Sequence, residues 1–98
     1  MDEMTQGNSA LDDRRKQILY RSNHRGIREM DIILGGYATR NMASLSEEDL
    51  AALESLMEES DRDLLVWFTG EQPVPETVAT PLFARILEDC IAHGALPV

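Results

Sequence analysis

Leu45-Ser46-Glu47-Glu48-Asp49-Leu50-Ala51-Ala52-Leu53-Glu54-Ser55-Leu56-Met57 is the stretch that decides the fold. Ser46 carries the short hydroxyl that accepts from an orphan backbone N–H at a helix start. Asp49, three residues on, stands where a capping-box acid reaches back, and Leu45 and Leu50 are spaced as a hydrophobic staple. Leu50, Leu53, Leu56 and Met57 then recur at one- to three-residue steps along a single helical stripe. Glu47, Glu48, Glu54, Glu58 and Glu59 fill the opposite, solvated face, so the segment reads as an amphipathic helix.

The same start signal recurs towards the C-terminus. Ser60 precedes Asp61 to Asp63, and Leu64, Leu65, Trp67 and Phe68 supply a short helix ended by Gly70 as a left-handed cap. Pro73-Val74-Pro75 cannot be helix interior and reads as a rigid connector, with room for one turn over residues 76–80. Thr80-Pro81 is an N-cap followed by proline at the first helical position. Leu82, Phe83, Ile86, Leu87, Cys90 and Ile91 trace the inner stripe of a last helix that runs to Gly94.

Towards the N-terminus, Ile27, Met30, Ile33, Leu34 and Tyr37 predict a helix over 27–40. Gly35-Gly36 inside it costs roughly 1 kcal/mol per residue against alanine, which implies close backbone packing or a kink near Gly35. Asp12 and Asp13 favour a first helix over 12–22, with Leu11, Arg15, Ile18, Leu19 and Ser22 on one face. Gly26 lies between these two helices and suits a sharp bend. The expectation is an all-α, compact, single-domain five-helix bundle over residues 11–94. Residues 1–10 read as a disordered polar tail and 95–98 as a frayed end.

Composition agrees and narrows the function. Aromatic residues make up 5% of the 98-residue chain and Leu, Ala, Met, Glu and Arg dominate, the residues that lose least freedom in helices. Cys90 is the lone cysteine, so no internal disulfide and no cysteine-rich zinc site can form. Asp2 and Glu3, with no apolar run, argue against a secretory or Arg-rich transit segment, and no stretch approaches membrane-spanning length. The reading is a soluble cytoplasmic protein.

The net charge of -9 is unevenly spread: residues 11–40 carry seven basic and four acidic side chains, residues 41–98 two and twelve. A chain this acidic is repelled by a phosphate backbone, so no nucleic acid is expected. The basic segment is read as meeting an anionic patch on a protein.

Chemistry concentrates in Arg25-Gly26-Ile27-Arg28-Glu29, which sets two guanidinium groups, a glycine and a carboxylate within five residues. On continuous helix Arg21, Arg25 and Glu29 would share a face with Arg28 close by, and the plain reading is a solvated ion pair worth about 0.3–0.5 kcal/mol. That reading leaves the glycine unexplained, since alanine would serve such a helix better. A bend that lets a partner's backbone approach accounts for it.

His24 has no carboxylate spaced to orient it and reads as a surface residue. Cys90 and His93 share a helix face, but no second pair exists to complete a metal site, and Cys90 falls on the apolar stripe. Trp67 and Phe68 are adjacent and cannot both point straight into the core, so that either one of them borders an exposed patch or Trp67 covers the end of the bundle; Tyr20 and Tyr37 read as amphipathic residues at the core's edge. With no nucleophile elbow, P-loop, carboxylate pair or dinucleotide fingerprint, the chain reads as a binding module and not an enzyme. The rival reading is a generic acidic helical adaptor or small regulatory binding protein.

Tyr20-Arg21-Ser22-Asn23-His24-Arg25-Gly26-Ile27-Arg28-Glu29-Met30-Asp31, the acidic helix from Leu45 to Met57, Asp63-Leu64-Leu65-x-Trp67 and Pro73-x-Pro75 occur in an order that resembles the succinate dehydrogenase assembly factor 2 family. These are small flavinylation factors with an Arg-Gly-x-x-Glu signature, and the likeness covers about residues 14–92. It implies a five-helix bundle that binds the flavoprotein subunit of succinate dehydrogenase, and in bacteria that of fumarate reductase, and promotes covalent attachment of FAD to a histidine there. It further implies a bacterial, cytoplasmic, monomeric assembly chaperone without a catalytic set. No cofactor would be bound tightly, FAD being the client's. The implied partner-binding residues are Arg25, Gly26 and Glu29 with Arg21, Arg28, Asp31 and Trp67. His24 and Gly35-Gly36 depart from some relatives, which bears on local details of the second helix.

Overall fold

The computed structural model describes residues 12–94, and among them it is all helical, with no strand. The tail expected at residues 1–10, Leu11 and the frayed end expected at 95–98 lie outside the described residues. Five helices follow one another: α1 (Asp13–Ser22); α2, built from Arg28–Met30, Asp31–Gly35 and Gly36–Asn41; α3 (Glu47–Met57); α4 (Asp61–Phe68); and α5 (Pro81–Ala92).

Four of the five starts have a side-chain cap, and α2 begins at Ile27 without one. Asp12 accepts from the Arg15 N–H at 2.9 Å, Ser60 from Asp63 and Thr80 from Phe83. Ser46 and Asp49 close the full capping box, with the Asp49 N–H donating to Ser46 Oγ at 3.1 Å. Gly70 and Gly94, at φ of 79° and 69°, end α4 and α5 in the left-handed region.

The central element is α2. Met30, Leu34 and Ala38 are fully buried in it, and α1, α4 and α5 all pack against it. Here the structure corrects the uniform α-helix expected over 27–40: Asp31–Gly35 is wound as a π-helix. Ile33 and Leu34, then Tyr37 and Ala38, follow Met30 into the core at three- and four-residue steps, so the buried stripe runs on through the π turn. Gly35 serves the close packing expected near it, lying directly against Ser22 and Asn23 at the end of α1.

The core is a single cluster in which Ile18, Ile33, Leu34, Leu50, Leu53, Leu64, Leu82, Ile86 and Cys90 are almost wholly enclosed. Phe68 is the inward member of the Trp67-Phe68 pair and stacks on Phe83 with ring centroids 4.2 Å apart; Trp67 is half-buried at the cluster's rim. Tyr37, expected at the core's edge, is inside it, and burial pushes its hydroxyl pKa up. Tyr20 is well outside, 63% exposed, and stacks on His24. Val78, in the turn after Pro75, is a buried residue that no periodicity pointed to.

The basic segment is mostly spent inside the molecule, which corrects its reading as a partner-facing patch. Arg14 pairs with Glu47 and Glu54 of α3, Arg21 with Glu58, Arg25 with Asp61 and Arg40 with Asp89. Arg15 donates to the carbonyls of Met42 and Leu45 and so closes the turn between α2 and α3. The charge asymmetry along the sequence is therefore largely complementarity between α1 and the acidic helices. Of the seven basic residues in 11–40, Lys16 and Arg28 alone have no ion pair among the described residues.

Candidate functional site

The Arg-Gly-x-x-Glu stretch forms the corner between α1 and α2. Asn23 ends α1, its side-chain amide turned back onto the Leu19 carbonyl at 2.9 Å, and the chain then runs without regular structure to Ile27. Gly26 makes the turn at φ 98°, a conformation that L side chains rarely adopt. It is exposed, and a β-carbon built on it would meet nothing within 4 Å. The bend expected from sequence is thus present, and the surface over it is open.

Because this corner is not helix, Arg25 and Glu29 do not share a helical face, as continuous helix would have required. They point to different tasks. Arg25 turns inward: Nε donates to Asp61 Oδ1 at 2.7 Å, Nη1 to the Met57 carbonyl at 2.8 Å and Nη2 to the Glu59 carbonyl at 2.9 Å. Its own backbone N–H donates to Asp31 Oδ1 at 2.6 Å. The ion pair is largely shielded, with the Arg25 and Asp61 side chains 12% and 17% exposed. One of these acceptors, the Met57 carbonyl, is at the C-terminal end of α3, where the helix leaves carbonyls unpaired and a cation is favoured, and the Glu59 carbonyl lies just beyond it.

Arg28 and Glu29 are exposed on the first turn of α2, and neither makes a hydrogen bond or ion pair with another side chain among the described residues. They flank the open glycine. Asp31, at the start of the π turn, is half-buried by its bond to Arg25. Arg21 projects from the end of α1 and reaches Glu58 at 3.2 Å, a surface pair of small energetic weight.

Tyr20, Arg21, His24, Arg25 and Asp61 line a shallow open depression beside the corner. In it the His24 ring lies 4.0 Å from that of Tyr20, and its Nδ1–H donates to the Tyr20 carbonyl at 2.7 Å. Trp67 comes from α4, which packs on the Arg28–Met30 turn. Six of the seven expected residues therefore gather on one corner of the bundle, with Trp67 on the helix behind it.

Sequence reasoning missed Asp61 here. It was read only as a first-turn acid of α4, and the pattern held no sign that it would meet Arg25, 36 positions earlier. Among the described residues no cluster of three or more His, Cys, Asp or Glu side chains is arranged to hold a metal ion, and no helix is long and apolar enough to cross a membrane.

Comparison with known proteins shows the family. Residues 16–90 match the model of the family described as flavinator of succinate dehydrogenase. The chain is 40% identical over 76 residues to the FAD assembly factor SdhE of Acetobacter pasteurianus, covering 78% of this chain and 70% of that one. It is 33% identical over 85 residues to succinate dehydrogenase assembly factor 2, mitochondrial, of Candida glabrata, and 33% over 82 residues to the protein of the same name from Dictyostelium discoideum. Each alignment covers 84% of this chain, but 56% and 58% of those relatives' own lengths.

Proposed function

Because the chain belongs to the family of flavinators of succinate dehydrogenase, we propose that it is an assembly factor that binds the flavoprotein subunit of that enzyme and promotes covalent attachment of FAD to it. The observation that carries the reading is the open left-handed corner at Gly26 with Arg28 and Glu29 exposed beside it. A backbone turn with no side chain over it lets a partner's main chain approach closely. The flanking guanidinium and carboxylate then supply charged hydrogen bonds that fix orientation.

In this reading Gly26, Arg28 and Glu29 touch the partner, Arg21 and Trp67 border the contact, and Arg25 and Asp31 hold the corner in shape. The factor has no catalytic set of its own. It acts by binding one arrangement of the flavoprotein better than others, so that the client's own groups are held where FAD becomes attached. FAD is the client's cofactor and is not bound tightly by this chain. The flavoprotein subunit of fumarate reductase is a second client of the same chemistry, and the factor works as a cytoplasmic monomer, the bacterial relative supporting that location.

The test is covalent flavin on the flavoprotein subunit, read by in-gel fluorescence, in cells that lack their own factor and are supplied with this chain. Restored flavinylation is expected. A flavoprotein that stays unmodified, and that fails to co-purify with the chain, would reject the proposal and favour a general helical adaptor.

A further inference from the structure

Arg25 has the most heavily tied side chain of the corner among the described residues, held at three places at once. Its guanidinium joins the last residue of α3, through the Met57 carbonyl, to the α3–α4 link at Glu59 and to the first residue of α4, Asp61. Its backbone N–H is bound to Asp31, on the far side of the Gly26 turn. The two carboxylates thus grip Arg25 from opposite ends, Asp61 by the side chain and Asp31 by the main chain. The five residues 23–27 between α1 and α2 have no helical hydrogen-bond ladder of their own, so these contacts set where Gly26, Arg28 and Glu29 stand.

From this geometry we infer that Asp61, acting through Arg25, is a positioning residue for the docking corner; the inference rests on the functional reading above. A docking surface binds with an apparent dissociation constant equal to the intrinsic one divided by the fraction of molecules that hold it in shape. Without Asp61 the Arg25 guanidinium keeps two carbonyl acceptors but loses its charged partner, the bond that fixes its long side chain against α4. The corner then samples other arrangements, and a partner must select the competent one. Asp63 is the internal control. It is a first-turn acid of the same helix with the same relation to the helix dipole, but it is exposed and does not meet Arg25.

The experiment has two arms. In the chain alone, hydrogen exchange of the Arg25 amide reports whether the grip on Asp31 persists. Asp61→Ala should speed that exchange about tenfold while the amides of α3 and α5 keep their rates, and Asp63→Ala should leave it unchanged, in line with local opening and not global unfolding. In the second arm, binding to the purified flavoprotein subunit of succinate dehydrogenase is measured. Asp61→Ala should weaken it about tenfold, the factor that follows from the loss of one charged hydrogen bond. Asp61→Asn keeps an oxygen acceptor for Nε–H and should lose about threefold or less.

The decisive comparison repeats Asp61→Ala in an Arg25→Gln background. If Asp61 works through Arg25, the second loss shrinks to about twofold or less; additive losses would mean that Asp61 acts on its own, and would overturn the inference. Unchanged exchange, or faster exchange with unchanged binding, would overturn it as well. Failure of the parent chain to bind would reject the functional reading and this inference together, whereas binding by the parent that is indifferent to Asp61→Ala rejects this inference alone.

Discussion

Asn23 packs straight onto Gly35: a β-carbon built on the glycine would lie 2.4 Å from Asn23 Oδ1 and 3.1 Å from the Ser22 carbonyl. The Asn23 amide is anchored to Leu19, so it has little room to yield. At Gly36 the atoms nearest a β-carbon are those of the Arg40 guanidinium, at 3.2 Å, the far end of a long side chain that pairs with Asp89. Adjacent glycines therefore call for opposite outcomes. Gly35→Ala should destabilise by about 1–3 kcal/mol through overpacking, whereas Gly36→Ala should be neutral or gain up to about 1 kcal/mol from helix propensity. Chemical denaturation of the two variants checks this, and equal midpoints would contradict the packing described.

Stability and docking should separate cleanly by residue. Leu53 is fully enclosed, so Leu53→Ala should cost about 2–5 kcal/mol. Glu29→Ala, exposed and unpaired among the described residues, should change stability by under about 0.5 kcal/mol. Thermal melts read both, and a Glu29→Ala melt as low as that of Leu53→Ala would assign Glu29 to the fold.

Cys90 should behave as a core side chain and not as a reactive thiol. Burial first, then the charge of Asp89, pushes its pKa up to about 11, and the thiol faces the Ile33 carbonyl inside the π turn. At pH 8 the native protein should resist alkylation, and labelling should appear only as denaturant opens the core. Labelling of the native protein at the rate of a free thiol would show that α5 opens locally.

Two carboxylates on α3 predict the acid limb of stability. The Arg85 guanidinium, by hydrogen bond, holds Asp49 below the usual carboxylate range, and Arg14 does the same for Glu54. A folded pKa below the unfolded one means that the stabilisation is fully present above the unfolded value, about 4, and is lost as pH falls through the folded pKa. Denaturant midpoints should therefore hold from pH 7 to about 5 and decline below about 4. Arg85→Gln should flatten part of that decline. An identical acid limb in that variant would remove the Asp49 pair from the account.

What the sequence made legible was whatever is written locally. Ser46, Ser60 and Thr80-Pro81 announced helix starts because a cap is settled within four residues, and the stripes through Leu50, Leu53 and Ile86 announced the core. Gly26 announced a bend. What stayed hidden depends on partners far along the chain: Arg25 looked like a neighbour of Glu29 until the fold brought Asp61 to it. The π turn at Asp31–Gly35 was hidden for a different reason: the buried stripe from Met30 to Ala38 keeps the three- and four-residue spacing of an ordinary helix, so the pattern does not distinguish the two. The basic segment misled as Arg25 did, because only the fold shows that its arginines meet the acids of α3, α4 and α5.

Gly26 offers a sharper test of docking than removal of any charge. At φ 98° any L residue is strained, so Gly26→Ala and Gly26→Trp should share a backbone penalty of roughly 1–2 kcal/mol and lose stability alike. Open space over the position means that neither side chain clashes within the chain. The two variants differ only in what they present outwards. If a partner's main chain lies against this corner, alanine leaves most of the approach open, whereas tryptophan holds the partner off by several ångströms and breaks the charged hydrogen bonds to Arg28 and Glu29. The expected result is two proteins with similar melts, of which Gly26→Ala still supports covalent flavin on the flavoprotein subunit and Gly26→Trp does not. Adding Glu29→Ala to Gly26→Ala should then lower binding at least tenfold, the factor for one lost charged hydrogen bond of about 1.5–3 kcal/mol. Full flavinylation by a folded Gly26→Trp protein would take the corner out of the contact and leave the half-buried Trp67 rim of α4 as the surface to test.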